Sequence, residues 1–490
     1  MGATIRAARE AQVCEVGEGG EMALLEPIER YDGSLLGSSF VGARAAVRLA
    51  RAGAWFLYIL SSYRLQRALV FIFGWSAFMT VRLERRWDRV HAANARRFYV
   101  AASRLSGVYV KLGQVVSTLG TFLPEAYAHE LQKLQDRVPP RSFEVIDEAI
   151  FRAYGKPWPV MFSELSREPL AAASLGQVHR ARTHDGRDVA VKVLYPDIEA
   201  TLKVDLVVVG WVLDVLERFY PISDLDRLHR SMGEMLGRET DLRLEAQALR
   251  KMKRNFEGDA SVTLPEVDLA LSNDRVLVMS FVDGVRITDR DGLARIGISA
   301  HDAARTLLDA FIRQVFVHRY FHADPHPGNF LVQRDDQGRP RIVLLDLGAS
   351  ATAKEHLVDG LMEVVSGLFQ KNDRIVLAGV SRMGFLAKDA DQELVGRHIK
   401  ETLGRLLRVD GAGMGQLDKR LVDRLSKGGP DKREAQALMR SVSYPDGWFE
   451  LERSVAMLLG VLASEAPKLD PTQVAFPHIA RWIASRAGRT

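Results

Sequence analysis

The 490-residue chain is 47% apolar and 26% charged with a net charge of +5, proportions that exclude a disordered or collagen-like protein. At about 150 residues per domain its length suggests three folded units, or two with an extension. A single cysteine, Cys14, allows neither an internal disulfide nor a zinc cluster, so the chain is not built for an oxidising compartment.

Charge is unevenly spread. Residues 1–32 carry seven acids against three arginines and lack the apolar core of a secretory leader. From residue 44 to 104 there are twelve arginines, no lysine and two acids, Glu84 and Asp88. The same stretch holds two uncharged apolar runs, 52–63 and 68–81, with Arg64 and Arg67 between them. Each run is shorter than the ~20 residues of a spanning helix, and joining them sets two arginines mid-membrane at about 2.5–3.5 kcal/mol apiece. Arginines beside Trp55, Tyr58 and Trp75 suit an anionic headgroup boundary. Peripheral attachment to a membrane from the cytoplasm through residues 44–98 is therefore expected; a hairpin packed on the next domain, or a true span, is the alternative. The basic residues flank apolar runs and do not alternate with polar contacts, so no nucleic-acid partner is expected.

Helical spacing continues through 82–104 and 101–120, and Ser142 reads as the N-cap of a helix over 142–154 with Val145, Ile146, Ala149 and Ile150 inward. Past Pro157 strands are expected at 162–165, 176–183 and 187–194, with Asp185-Gly186 as a hairpin turn. Long helices at 196–220 and 224–256, a strand at 275–281 and a helix at 300–319 follow. Segments 331–333 and 342–345 form a second hairpin across Asp336-Gln337-Gly338, and the chain beyond Lys354 is helical. Strands first and helices later predict a two-lobed α+β fold of protein-kinase type. Its divisions are an acidic then membrane-proximal region (1–98), a helical extension (99–156), a small β-rich N-lobe with inserted helices (157–284) and a helical C-lobe (285–490).

A lysine ending an apolar strand, as in Val189-Ala190-Val191-Lys192, is ordinary by itself. Upstream, however, Leu170-Ala171-Ala172-Ala173-Ser174-Leu175-Gly176-Gln177-Val178 sets A-x-A-x-x-G-x-V against the kinase loop G-x-G-x-x-G-x-V, fourteen residues before Lys192. Small residues let backbone approach phosphates, and alanine makes the loop stiffer than glycine would. Asp324 and Asn329 are five apart, with His322 ahead of them, as in the kinase loop H-R-D-x-x-x-x-N. Seventeen residues beyond Asn329, Asp346-Leu347-Gly348 follows an apolar strand as D-F-G does. A zinc reading of His322, Asp324 and His326 matches no standard spacing. In the kinase scheme the 170–178 loop and Met279 meet a nucleotide, and Lys192 contacts its phosphates. Asn329 and Asp346 hold Mg²⁺, and Asp324 orients or deprotonates an attacking hydroxyl or water. Lys192 also needs a carboxylate on a helix: Glu239 is the first choice and Glu245 the second. Residues 279–284 read as the interlobe hinge. No A-P-E segment follows Asp346 at activation-loop distance, which argues against a peptide substrate.

These motifs together resemble the UbiB, or aarF-related, family of atypical kinases over residues 99–482. Lys111-Leu-Gly-Gln114 is similar to its K-x-G-Q motif, residues 171–179 to its alanine-rich loop, Glu239-Thr-Asp241 with Glu245 to its E-x-D element, and 322–329 to its H-x-D-P-H-x-x-N loop. The resemblance implies that the helix bearing Lys111 and Gln114 folds over the nucleotide cleft and that the alanine loop alters nucleotide preference. It further implies Mg-ATP turnover, as an ATPase or small-molecule kinase, in isoprenoid-quinone or other membrane-lipid metabolism. Implied partners are an anionic membrane, a lipid or quinone precursor, and quinone-biosynthesis proteins. A protein kinase and a nucleotide-gated lipid-binding scaffold are the alternatives.

Overall fold

The computed structural model describes residues 39–73, 77–105, 140–173, 175–196, 198–219, 237–386 and 445–487, with residues 109, 126, 127, 130 and 233 between them. The two apolar runs begin as one 35-residue helix, α1 (Ser39–Phe73), which folds back on α2 (Ala77–Leu105). Small residues make the close approach: Ala52, Ala95 and Ala102 are buried, and Ser62 exchanges hydrogen bonds of 2.7 and 2.9 Å with Asn94. Tyr63 stacks on Trp87 and its hydroxyl lies 2.9 Å from His91 Nδ1. The hairpin expectation thus holds for one face of α1. The other face leaves Leu57, Leu65, Phe71 and Ile72 in solvent, Phe71 at 91% exposure. No helix among the described residues is long and apolar enough to cross a membrane.

Helix α3 (Phe143–Tyr154) precedes a hairpin pair, β1 (Glu164–Ala172), β2 (Gly176–Arg182) and β3 (Asp188–Leu194). Then come α4 (Ile198–Phe219), α5 (Leu242–Asn255), β4 (Val262–Thr263) and β5 (Val276–Ser280). The N-lobe sheet runs β1-β2-β3-β5, antiparallel throughout. Pro169 is tolerated because β1 is an edge strand whose register is already irregular. Alternation along β3 sends Val191 and Val193 into a core with Ile146, Ile150 and Phe162, and Ala190 and Leu194 into another with Leu249 and Met252 of α5. Lys192 shares the second face.

The single helix expected over 224–256 is interrupted. Asp241, at φ −119° and ψ 98°, accepts a hydrogen bond from Arg243 N and starts α5 afresh. An aspartate in this position is an N-cap, and its competition for backbone N–H groups outweighs the helical periodicity around it.

Residues 281–284 lead from β5 into the C-lobe, through β6 (Val285–Arg286), α6 (Arg290–Arg295) and α7 (Ala300–Phe316). Next are β7 (Tyr320–His322), β8 (Phe330–Arg334), β9 (Pro340–Leu344) and β10 (Ser350–Thr352). Helices α8 (Glu355–Phe369), α9 (Asp373–Met383), α10 (Trp448–Glu465) and α11 (Pro471–Ala487) close the lobe. A second sheet, β4-β9-β8-β6, and the β7–β10 pair bring the ends of β7 and β9 to one rim. The architecture is the expected two-lobed, kinase-like α+β fold.

Among the described residues an ion pair ties the hairpin to the N-lobe. Arg48 of α1 grips Asp205 of α4 with Nε and Nη2, at 2.7 and 2.6 Å, and Asp205 is 0% exposed. Burial pushes that carboxyl up to about 6 against the pull of the guanidinium. Arg48→Ala strands the acid in the interior and is expected to cost about 3 kcal/mol by urea unfolding at neutral pH. Adding Asp205→Asn should recover part of the loss; a double variant no more stable than Arg48→Ala would show that the pair is not the tie.

Candidate active site

The site begins with Lys192. The strand's alternation sends its side chain toward α5, whose inward stripe of Leu242, Ala246 and Leu249 also includes Glu245. Lys192 Nζ donates to both oxygens of Glu245 at 2.7 Å and to Asp346 Oδ2 at 2.7 Å. The lysine's helix partner is therefore Glu245, correcting the first choice of Glu239. Glu239 lies ahead of the Asp241 cap, outside α5, and its charge helps to raise Glu245.

The two carboxylates differ in access: the Glu245 side chain is 4% exposed and that of Asp346 38%. Burial, with the charge of Asp346, pushes Glu245 up to about 7. For Asp346 burial acts in the same sense, but the ammonium of Lys192 overrides it and holds the acid well below the carboxylate range. Burial would lower Lys192; the joint charge of Asp346 and Glu245 raises it instead. Gly348 permits this closeness. Its N–H donates to Asp346 Oδ1 at 2.9 Å, and a Cβ there would sit 3.3 Å from both Asp346 Oδ1 and Glu245 Oε2.

Asn329 reaches the same place through sheet register. Phe330 pairs with Leu344, and Leu345 N donates to Asn329 O at 3.0 Å, so Asn329 and Asp346 end neighbouring strands. Asn329 Nδ2 donates to Asp324 O at 3.1 Å and lies 3.4 Å from His322 Nε2, which commits the amide nitrogen and leaves Oδ1. His322 is buried and its pKa lowered by that burial; a neutral ring with Nδ1–H satisfies Ala349 O at 3.3 Å. The histidine therefore braces the loop. Asp324 is paired, at 3.1 Å from Oδ1, with Nη2 of Arg453 on α10. Nothing in the sequence near the loop marks Arg453, which only the docking of α10 reveals.

The alanine loop forms the β1–β2 turn, closed by a 2.8 Å bond from Ala173 N to Gly176 O. Leu170, Ala171 and Ala173 are exposed and Ala172 half-buried, while Leu175 and Gly176 turn inward and Val178 packs on the core. Gly176 has no room for a side chain: a Cβ would lie 2.3 Å from Val193 O. Gln177 is buried, held by Tyr195 at 2.9 Å, by the Arg141 N–H and by His179. Met279 is buried in the core at the end of β5, two residues before the interlobe link. Ser174, Lys111 and Gln114 lie outside the described residues.

Lys192→Met leaves Glu245 and Asp346 facing each other. A carboxylate with a raised folded pKa favours the native state fully below its unfolded value of about 4.3, and that advantage is lost as pH climbs through the folded value. Without the ammonium Glu245 rises above about 7, so the variant's stability deficit should widen from pH 6 to pH 9, by about 1.4 kcal/mol for each added unit. A pH-independent deficit in denaturant unfolding would mean that the lysine does not control Glu245.

Comparison with known proteins fits this geometry. A family model described as the ABC1 atypical kinase-like domain matches residues 133–379. An uncharacterized Synechocystis protein is 28% identical over 436 residues, 86% of this chain and 73% of that one. A probable protein kinase UbiB from Marinobacter nauticus is 35% identical over 261 residues, 52% of this chain and 47% of its own length. An Arabidopsis thaliana protein named Activity of bc1 complex kinase 1, chloroplastic, is 31% identical over 376 residues, 76% and 53% of the two chains. The chain thus spans about half of the latter two relatives. Among solved structures, a Mycobacterium tuberculosis protein in complex with erythromycin superposes with a TM-score of 0.50 at 23% identity, covering 79% of this chain and 98% of that one. That likeness speaks for the fold alone. With a matched domain covering half its length, the chain belongs to the ABC1, or UbiB, family of atypical kinase-like proteins.

Proposed function

We propose that the cleft between the lobes binds Mg-ATP and either hydrolyses it or passes its terminal phosphoryl group to a small lipid-like acceptor, such as a quinone precursor, at a membrane surface. The observation that carries this reading is the Lys192–Glu245–Asp346 cluster beside Asn329 and Asp324. The donor set suits Mg²⁺: one carboxylate and one amide oxygen are hard ligands, and two protein ligands are usual for an ion that keeps its waters and binds phosphates. When bound, the ion would neutralise charge on the phosphoryl group. Asn329 and Asp346 would hold it, and Lys192 would fix the α and β phosphates beneath the 170–178 loop. Asp324 would accept the proton of the attacking oxygen as that oxygen bonds to the terminal phosphorus and the bridging oxygen leaves on the diphosphate.

The loop lengths support a small acceptor. Only residues 347–354 separate Asp346 from α8, and three of them pair with β7 as β10. A segment that short is a poor platform for a peptide. The outer face of α1, with exposed Leu57, Leu65, Phe71 and Ile72 beside Arg64 and Arg67, offers apolar and cationic groups to an anionic bilayer. Quinone-biosynthesis proteins sharing that surface are the partners this reading suggests.

Steady-state ATP hydrolysis with and without anionic liposomes tests the proposal. Turnover should rise with liposomes and vanish in Asp346→Asn together with Mg-nucleotide binding; unchanged affinity would remove Asp346 from the metal site. Nucleotide binding without turnover in either condition would favour the lipid-binding scaffold. Separately, Leu65→Asn, Phe71→Asn and Ile72→Asn combined should cut binding to anionic vesicles at least about tenfold while basal hydrolysis persists; full binding would take the membrane role away from this face.

A further inference from the structure

We infer that Arg453 is a positioning residue for Asp324, supplied to the catalytic loop from helix α10 of the C-lobe; this rests on the function proposed above. The loop from His322 to Asn329 contains no lysine or arginine, and the arginine of H-R-D is here the buried Ala323. The guanidinium that meets the loop aspartate arrives instead from a distant part of the chain, with Nη2 at 3.1 Å from Asp324 Oδ1.

Its position is built rather than incidental. Leu451, Leu458 and Leu462 of α10 are buried in the same core as Leu347, the residue after Asp346. Ser454, next to Arg453, is also buried and donates to Glu450 O, one turn back, at 2.5 Å. The Arg453 side chain is 11% exposed and that of Asp324 21%, so the pair is shielded on the arginine's side and open on the aspartate's. A planar guanidinium in a fixed frame sets the direction of a carboxylate. Arg453 thereby fixes the direction in which Asp324 meets the incoming hydroxyl or water.

The test separates kcat from nucleotide binding in Arg453→Lys and Arg453→Gln, with Asp324→Asn as reference. Arg453→Gln should lower kcat about 100-fold, the loss typical of a misplaced catalytic group, with Mg-nucleotide Kd within about twofold of wild type. Arg453→Lys keeps the charge without the fork and should recover part of kcat; it decides alone if Arg453→Gln fails to fold. An unchanged kcat, or a Kd that weakens in step with kcat, overturns the inference. If Asp324→Asn turns over normally, or wild type does not turn over, the proposed function fails and this inference with it. If Asp324→Asn is inactive while both Arg453 variants keep full kcat, only this inference fails.

Discussion

A buried ammonium shared by two carboxylates governs this molecule. Lys192, Glu245 and Asp346 come from a strand and a helix of the N-lobe and from a loop of the C-lobe. Removing such charges from water costs several kcal/mol per ion, repaid only when geometry is tight and each lone pair is met. The requirement explains much of the surrounding structure: the inward face of β3, the restart of helix at Asp241, the absence of a side chain at Gly348. It also sets the division of labour. Glu245 is closed off and structural, whereas Asp346 keeps more than a third of its surface open to the cleft. An acid kept ionised by its neighbour yet accessible is the kind of group that takes a divalent cation.

The fold and most of the site could be read from the sequence because short-range rules specify them. The Asp185-Gly186 and Gln337-Gly338 turns fix two hairpins, with Gly186 and Gly338 at positive φ, and the spacing from Asn329 to Asp346 survives into space because the second hairpin sets the register of β8 on β9. Around the lysine's partner two local rules compete. Apolar period alone carries a helix through 224–256, and Asp241 breaks it by capping; only on an unbroken helix does Glu239 stand first. Arg453 and the Arg48–Asp205 pair were beyond reach for another reason. Each joins residues brought together only by packing of whole helices, and no spacing rule spans such distances.

The two long-range pairs share a logic. Arg48 ties the arginine-rich hairpin to α4, and α4 begins just after the strand that carries Lys192. Arg453 ties α10 to the loop that carries Asp324. Each uses a guanidinium, whose planar fork fixes orientation as well as distance, where a lysine would fix distance alone. Each pair thus fixes an element next to the site from a separate helix, and neither the hairpin nor α10 can shift without either breaking a shielded ion pair or carrying that element along. Since an unpaired buried charge is costly, the second course is favoured for small displacements. A displacement of α1 is therefore felt at α4 as well as at α2, and α4 follows directly on the strand that positions Lys192.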